Sequence, residues 1–217
     1  MEQYIILNCA ASADGKIALP NKERLELSNE IDLKRVHSLR SECDAIIVGI
    51  DTVIEDNPSL TINKKYASGE NPTRIILDTK YRTPENSNII KNDSKTIIVI
   101  GEKTLDKKLP YTVTIKCGKE KIDLEKLLDT LKKRNIRKIL VEGGETVLWS
   151  FIEKQLFDEF NIFISNLIVG GENTPTIAGG RGFLTKKDIL KLELKDVTRM
   201  GNGILIKYAK NNNKKAH

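Results

Sequence analysis

Short apolar runs alternate with polar, helix-patterned stretches along most of the chain. Tyr4–Cys9 predicts a first buried strand, and Ser12-Ala13-Asp14-Gly15-Lys16 a turn, because glycine supplies backbone freedom after an aspartate. Ile31, Val36 and Leu39 form an apolar stripe over a helix from about Glu30 to Glu42, with Ser28 or Asn29 as its N-cap. The run Ala45–Val48 predicts the next strand, and Asn57-Pro58 stops any helix begun after Asp51.

Asn63–Asn71 is polar and predicts a loop; Thr73–Asp78 and Thr96–Gly101 predict two more strands. Asp123 is placed to cap a helix carrying Leu124, Leu127, Leu128 and Leu131. Strand Lys138–Val141 runs into Gly143-Gly144 and a helix to about Lys154. Phe160–Ile164 predicts a strand leading to Leu167–Gly171, and Leu190–Val197 with Gly203–Tyr208 resembles an antiparallel hairpin. Strands alternating with helices, then a strand pair, predict an α/β fold with a mixed, mostly parallel central sheet. The expected organisation is a single domain over residues 1–209 and a disordered basic tail from residue 210.

Composition narrows the function classes. With 217 residues, 39% hydrophobic and 30% charged, the chain describes a soluble globular protein with an adequate core. No apolar run approaches the roughly 20 residues of a membrane span, and no signal peptide is evident, so a cytoplasmic location is expected. Cys9, Cys43 and Cys117 are scattered and odd in number, unlike a disulfide framework or zinc knuckle. With two histidines, a histidine-based metal site or triad is not expected. The net charge of +6 suits phosphorylated ligands. Aromatics at 5% and the lack of a basic stripe interleaved with stacking residues argue against nucleic-acid binding.

Two motifs carry most of the chemistry, Gly49–Leu60 and Val141–Thr146. Each follows a strand, where open α/β sheets bind ligands. Gly143-Gly144 before the helix from Glu145 reads either as a phosphate cradle or as a tight strand-to-helix turn. The three-glycine Rossmann spacing is absent. Gly170-Gly171 is a candidate second wall, and Gly179-Gly180-Arg181-Gly182 either a flap or a surface loop. Asp56 caps its turn or contacts a ligand. Asp14 is expected to shape its turn, and Arg40 is either a solvated cation or a phosphate ligand. Glu142, at the end of an apolar strand, is exposed at the ligand edge or buried and in need of a partner.

Ala11-Ser12-x-Asp14-Gly15-Lys16, Gly49-x-x-Thr52-Val53-x-x-Asp56-x-Pro58-x-Leu60-Thr61, Arg74-Ile75-x-Leu77-Asp78 and Glu142-Gly143-Gly144 occur in an order that resembles the riboflavin-pathway reductases. The resemblance runs from about Tyr4 to Tyr208 and implies a dihydrofolate-reductase-like fold, a homodimer and NADPH as cofactor. Nothing here matches the zinc deaminase fused to the bacterial reductases, so the chain resembles the stand-alone archaeal type. That implies reduction of the ribosyl group of 2,5-diamino-6-ribosylamino-4(3H)-pyrimidinone 5′-phosphate to ribityl. The rival readings are a deaminated pyrimidine or a pterin as substrate, or an RNA-binding or regulatory protein without turnover.

The resemblance further implies that Thr52 and Asp56 contact NADPH, with Ala10 near the nicotinamide and Thr79 near the adenosine 2′-phosphate. Gly143, Gly144, Glu145 and Thr146 hold the pyrophosphate; Arg40, Leu60 and Glu142 line the substrate pocket that Pro58 shapes. Asp56 is the expected proton-moving residue. Two departures stand out. Asn63 falls where bacterial relatives carry a phosphate-binding arginine, leaving Lys64, Lys65, Arg24 or Arg40 to compensate. Glu145 sets an anion in the first helical turn, where it repels a pyrophosphate unless it points away.

Overall fold

The computed structural model describes residues 2–21, 23 and 25–211. Among them a nine-stranded sheet runs in the order β5-β4-β3-β2-β6-β1-β7-β9-β8. Its strands are β1 (Tyr4–Ala11), β2 (Ala45–Gly49), β3 (Thr73–Leu77), β4 (Thr96–Ile100), β5 (Thr112–Lys116), β6 (Lys138–Gly143), β7 (Glu159–Ile164), β8 (Leu192–Met200) and β9 (Gly203–Lys210). The first seven pair in parallel, whereas β9 is antiparallel to both β7 and β8. The helices are α1 (Glu30–Ser41), α2 (Ile50–Asp56), α3 (Leu124–Lys133) and α4 (Glu145–Glu153). The expected tail beyond residue 211 lies outside the described residues, while Lys210 still pairs with Leu192.

Continuous β-branched runs form the central strands because both faces are covered, and alternate residues feed two cores. Leu7, Ile47, Ile75, Val99, Ile139 and Val141 pack with Leu124, Leu127, Leu131, Leu148 and Phe151 of α3 and α4. Ile6, Ile46, Val48, Ile76, Ile98 and Leu140 face the other way and pack with Ile50, Val53, Leu60, Tyr81 and Ile89. Thus β2 and β6, though adjacent, send their following helices to opposite faces of the sheet. That divergence opens a crevice at their carboxyl ends, the usual ligand position in open α/β sheets. Asp123 does cap α3, accepting from Lys126 N at 3.2 Å.

Two expectations need correction. The stripe anticipated on α1 is not its buried face: Ile31 is 48% exposed, and Asp32 is the residue the helix buries. The reason is that α1 is anchored by polar contacts. Asp32 Oδ1 accepts from Arg35 Nε at 2.7 Å, Asn29 Oδ1 caps Asp32 N at 3.0 Å, and Asn29 Nδ2 reaches Met200 O at 2.7 Å across the β8–β9 turn. The other correction is β5, an edge strand missing from the sequence reading. Of its five residues the structure buries Ile115, so its Thr-Val-Thr-Ile-Lys pattern carries little apolar signal.

Candidate functional site

A cleft of about 400 Å3 opens where β1, β2 and β6 end. Cys9 and Ala10 from β1 form its floor; Gly49, Thr52 and Asp56 from the β2–α2 junction form one wall; Glu142, Gly144, Glu145 and Thr146 from the β6–α4 junction form another. Leu25, Leu27, Ser28 and Leu33 lie opposite, and Ile17, Ala18 and Pro175 close one end. The apolar members of these last groups were not flagged in the sequence. Ile17-Ala18-Leu19-Pro20, a short apolar run straight after the Asp14-Gly15 turn, was the available signal.

The two chemistry-bearing motifs meet here. Thr52 Oγ1 accepts from Gly144 N at 3.2 Å, tying the start of α2 to the start of α4. Gly143 has φ of 100°, which favours glycine, and the Gly143-Gly144 peptide is cis. Gly144 offers no side chain to cap α4. The first N–H groups of that nine-residue helix have no intrahelical acceptor, so they and the helix dipole can serve an anion.

Glu142 has found a partner. Arg40 Nε donates to Oε1 at 2.9 Å and Nη2 to Oε2 at 2.6 Å, while Nη1 reaches Thr61 O at 3.1 Å. Both side chains are mostly buried, at 17% and 12% exposure. Burial disfavours the charge on Arg40, but Glu142 outweighs it and holds the guanidinium pKa above its ordinary value. These bonds engage three of the five N–H donors of the guanidinium. Beside it, burial and then the Arg40 charge push the His37 pKa down; Glu142 and the Thr61 carbonyl pull the other way. His37 Nδ1 accepts from Asn63 N at 3.1 Å.

Asp14 does shape its turn. It accepts from the Ser12 hydroxyl at 2.6 Å and from Val169 N and Gly170 N at 3.1 and 2.7 Å. The Ser12 bond, then the two backbone bonds, lower its pKa to about 2. Cys9, fully buried, has its thiol pushed up to about 12 by desolvation and stays protonated at the cleft floor.

Other expected site residues lie off the cleft. Leu60 is 3% exposed and packs in the core under α2, so it does not present its side chain as a pocket wall. Pro58 sits in the turn after α2, which Asn88 holds through Asn57. Gly170 and Gly171 lie behind the Asp14 turn, and Pro175, further along that segment, reaches the cleft in their place. Thr79 ends the β3 loop with its carbonyl bound by Gly101 N at 3.0 Å and Thr104 Oγ1 at 2.8 Å. Arg24 lies outside the described residues. Glu145, the anion in the first turn of α4, stays in the cleft wall with its carboxylate engaged: Oε2 accepts from Thr176 N at 3.0 Å.

Among the described residues no three His, Cys, Asp or Glu side chains gather as metal ligands, and no helix is long and apolar enough to cross a membrane.

The family described as the RibD C-terminal domain matches residues 3–206. The chain belongs to this family. Among RibD C-terminal domain relatives, it is 36% identical to the 2,5-diamino-6-ribosylamino-4(3H)-pyrimidinone 5′-phosphate reductase of Methanothermobacter thermautotrophicus, over 96% of this chain and 98% of that protein. In structure it is similar to Acinetobacter baumannii RibD, with a TM-score of 0.83 at 24% identity, covering 96% of this chain and 58% of that one. Dihydrofolate reductase from Enterococcus faecalis shares the fold, with a TM-score of 0.54 at 11% identity over 96% of this chain and 97% of that one. The fold of this RibD-type domain is therefore dihydrofolate-reductase-like.

Proposed function

We propose that the protein is an NADPH-dependent reductase in riboflavin biosynthesis acting on 2,5-diamino-6-ribosylamino-4(3H)-pyrimidinone 5′-phosphate, the compound in the name of its Methanothermobacter relative. The observation that carries this is one cleft joining the α4 N-terminus, which has no side-chain cap, Thr52 and Asp56 on α2, and Glu142, which Arg40 holds from outside the lining. A dinucleotide's pyrophosphate fits the helix end, because backbone N–H groups and a positive dipole favour anions there. Thr52 keeps that end in place. Ala10, at the carboxyl end of the central strand, offers a small floor on which a flat ring can lie.

The α4 end, Thr52 and Ala10 would hold a reduced nicotinamide nucleotide, which would supply the hydride for C1′ of the opened sugar. The protein's own contribution is alignment, which can lower a barrier by roughly 7–11 kcal/mol when two reactants are held in register. Before hydride transfer the ribosylamine ring has to open. The ring oxygen takes a proton as its bond to C1′ breaks, and the amine nitrogen forms a double bond to C1′. Asp56 lines the cleft and is assigned the movement of that proton. With a hydride from such a cofactor, C1′ would gain a C–H bond, the C=N π pair would return to nitrogen, and the side chain would be left as ribityl. Glu142, fixed by Arg40, presents an acceptor edge to the pyrimidine amino groups or sugar hydroxyls. Thr79 and the neighbouring Lys80 and Arg82 are assigned to the 2′-phosphate that separates NADPH from NADH.

A homodimer belongs to the same reading. Leu194, Val197 and Ile204 are 57%, 54% and 40% exposed. The β8–β9 register sets them on one face of the edge hairpin, which supports a second copy seated there. Sedimentation at micromolar concentration tests this, a monomer ruling it out.

The function is tested by NADPH oxidation with the diaminopyrimidine ribosyl phosphate beside its deaminated counterpart. Preferential turnover of the diamino compound supports the proposal. Turnover of the deaminated compound alone contradicts it.

A further inference from the structure

The Ser12–Lys16 turn and the segment after β7 are zipped together along one end of the cleft. Ala13 N donates to Leu167 O at 2.7 Å, Ile17 N to Pro175 O at 3.0 Å, and Ile177 N to Gly15 O at 3.3 Å. Asp14 adds its two bonds to Val169 N and Gly170 N. This double strap brings Ile17, Ala18 and Pro175 to the cleft. It is fastened to α4 at the helix's first residue, where the Glu145 carboxylate takes Thr176 N and the Glu145 carbonyl lies 3.4 Å from Gly179 N. The segment then lies flat on the helix. A Cβ at Gly179 would come within 2.8 Å of Glu145 Cδ, and one at Gly180 would enter the Trp149 ring. Phe183 stacks edge-on against Trp149 with centroids 5.0 Å apart.

An acid in the first helical turn already gains from the helix dipole and does so equally well in solvent. Its bond to a segment 31 residues away is therefore a second function. We propose that Glu145 is a positioning residue that latches the strap against the phosphate end of the cleft, while setting a negative charge beside the incoming pyrophosphate. This rests on the dinucleotide reading of the cleft. It gives the strap a physical link to cofactor affinity: the latch shapes the wall, and its charge keeps binding weaker than the donors alone would make it.

The two effects have opposite signs, so two variants separate them. Glu145→Gln keeps an oxygen acceptor for Thr176 N and removes the charge; Glu145→Ala removes both. NADPH affinity is read by fluorescence titration and strap order by hydrogen exchange over residues 167–183. The account predicts that Glu145→Ala binds NADPH about 3–10-fold more weakly, the scale of one lost hydrogen bond, despite losing a like charge. Its KM for NADPH rises while kcat at saturation changes far less, and exchange in the strap speeds up. Glu145→Gln keeps strap protection and binds NADPH as tightly as the parent or more tightly. Gly179→Ala, which pushes a methyl into the carboxylate, moves exchange in the same direction as Glu145→Ala. Unchanged exchange in Glu145→Ala, or NADPH binding as tight as the parent's, overturns the latch. If the parent binds no nicotinamide nucleotide, the cofactor reading falls, and the exchange comparison alone still decides whether the latch exists.

Discussion

Arg40 grips Glu142 through two parallel bonds, at 2.9 and 2.6 Å, across 102 residues of sequence. The pair joins α1 to the end of β6 and fixes a carboxylate at the cleft wall. Removing one partner leaves the other charge buried and uncompensated, which for a buried pair costs about 3–5 kcal/mol. Arg40→Ala and Glu142→Ala are therefore each expected to lower unfolding stability by an amount toward the bottom of that range, because both groups retain some solvent contact. The double variant Arg40→Met/Glu142→Leu is expected to recover most of that stability yet remain inactive. Urea unfolding beside kcat/KM checks this; a stable and active double variant would make the pair purely structural.

Asp56 lines the cleft, and its assigned task is proton movement during ring opening. Asp56→Asn is expected to lower the single-turnover rate by about 10²–10⁴-fold, the usual contribution of a placed acid or base. An unchanged rate would remove Asp56 from that task and leave it a binding group.

The pH dependence of stability has a definite sign at His37. Its folded pKa lies below the ordinary 6.5, so the unfolded chain takes up the proton first as pH falls. The stability it supports is present above 6.5 and is lost progressively below that value, down through the folded pKa. Protonation also removes the acceptor for Asn63 N, in the segment Arg40 holds at Thr61. Denaturant midpoints measured across this window should fall with decreasing pH in the parent and fall less in His37→Gln. Parallel slopes would contradict the assignment.

Asp14 works in a lower window. Its folded pKa of about 2 lies below the ordinary 3.8, so its contribution is present above 3.8 and is lost as pH falls through about 2. Asp14→Asn is expected to lower the protection factors of Val169 and Gly170 at neutral pH and to leave them unchanged as pH falls over that range. Retained protection in the variant would show that the backbone zipper alone holds the strap.

Much of the sheet was legible because its central strands are buried on both faces, and runs such as Ala45-Ile46-Ile47-Val48 announce that directly. The α3 helix was equally plain, with a capping aspartate and four leucines on one stripe. By contrast, α1 misled: Ile31 and Leu33 face outward, of its apolar stripe Leu39 packs against the core, and its one buried residue is Asp32, paired with Arg35 in the same helix. Strand β5 hid because an edge strand with one buried side chain has the composition of a loop. At the site, Thr52, Glu142 and Gly144 stood out through glycine and carboxylate placement at strand ends. Leu60 was assigned to the pocket by the family resemblance, which does not reveal that its side chain turns into the core. The strap wall was missed for another reason: Lys16 and Thr176 meet as an isolated bridge between segments 160 residues apart, which no local pattern records.

In the proposed reaction, reduced nicotinamide lies against C1′ of an opened sugar in the cleft. The decisive measurement is turnover with NADPH carrying deuterium at both C4 positions, followed by mass and NMR analysis of the product. The account predicts one deuterium at C1′ of the ribityl chain of the diaminopyrimidine. A product with no deuterium at that carbon, or with label elsewhere, would contradict it.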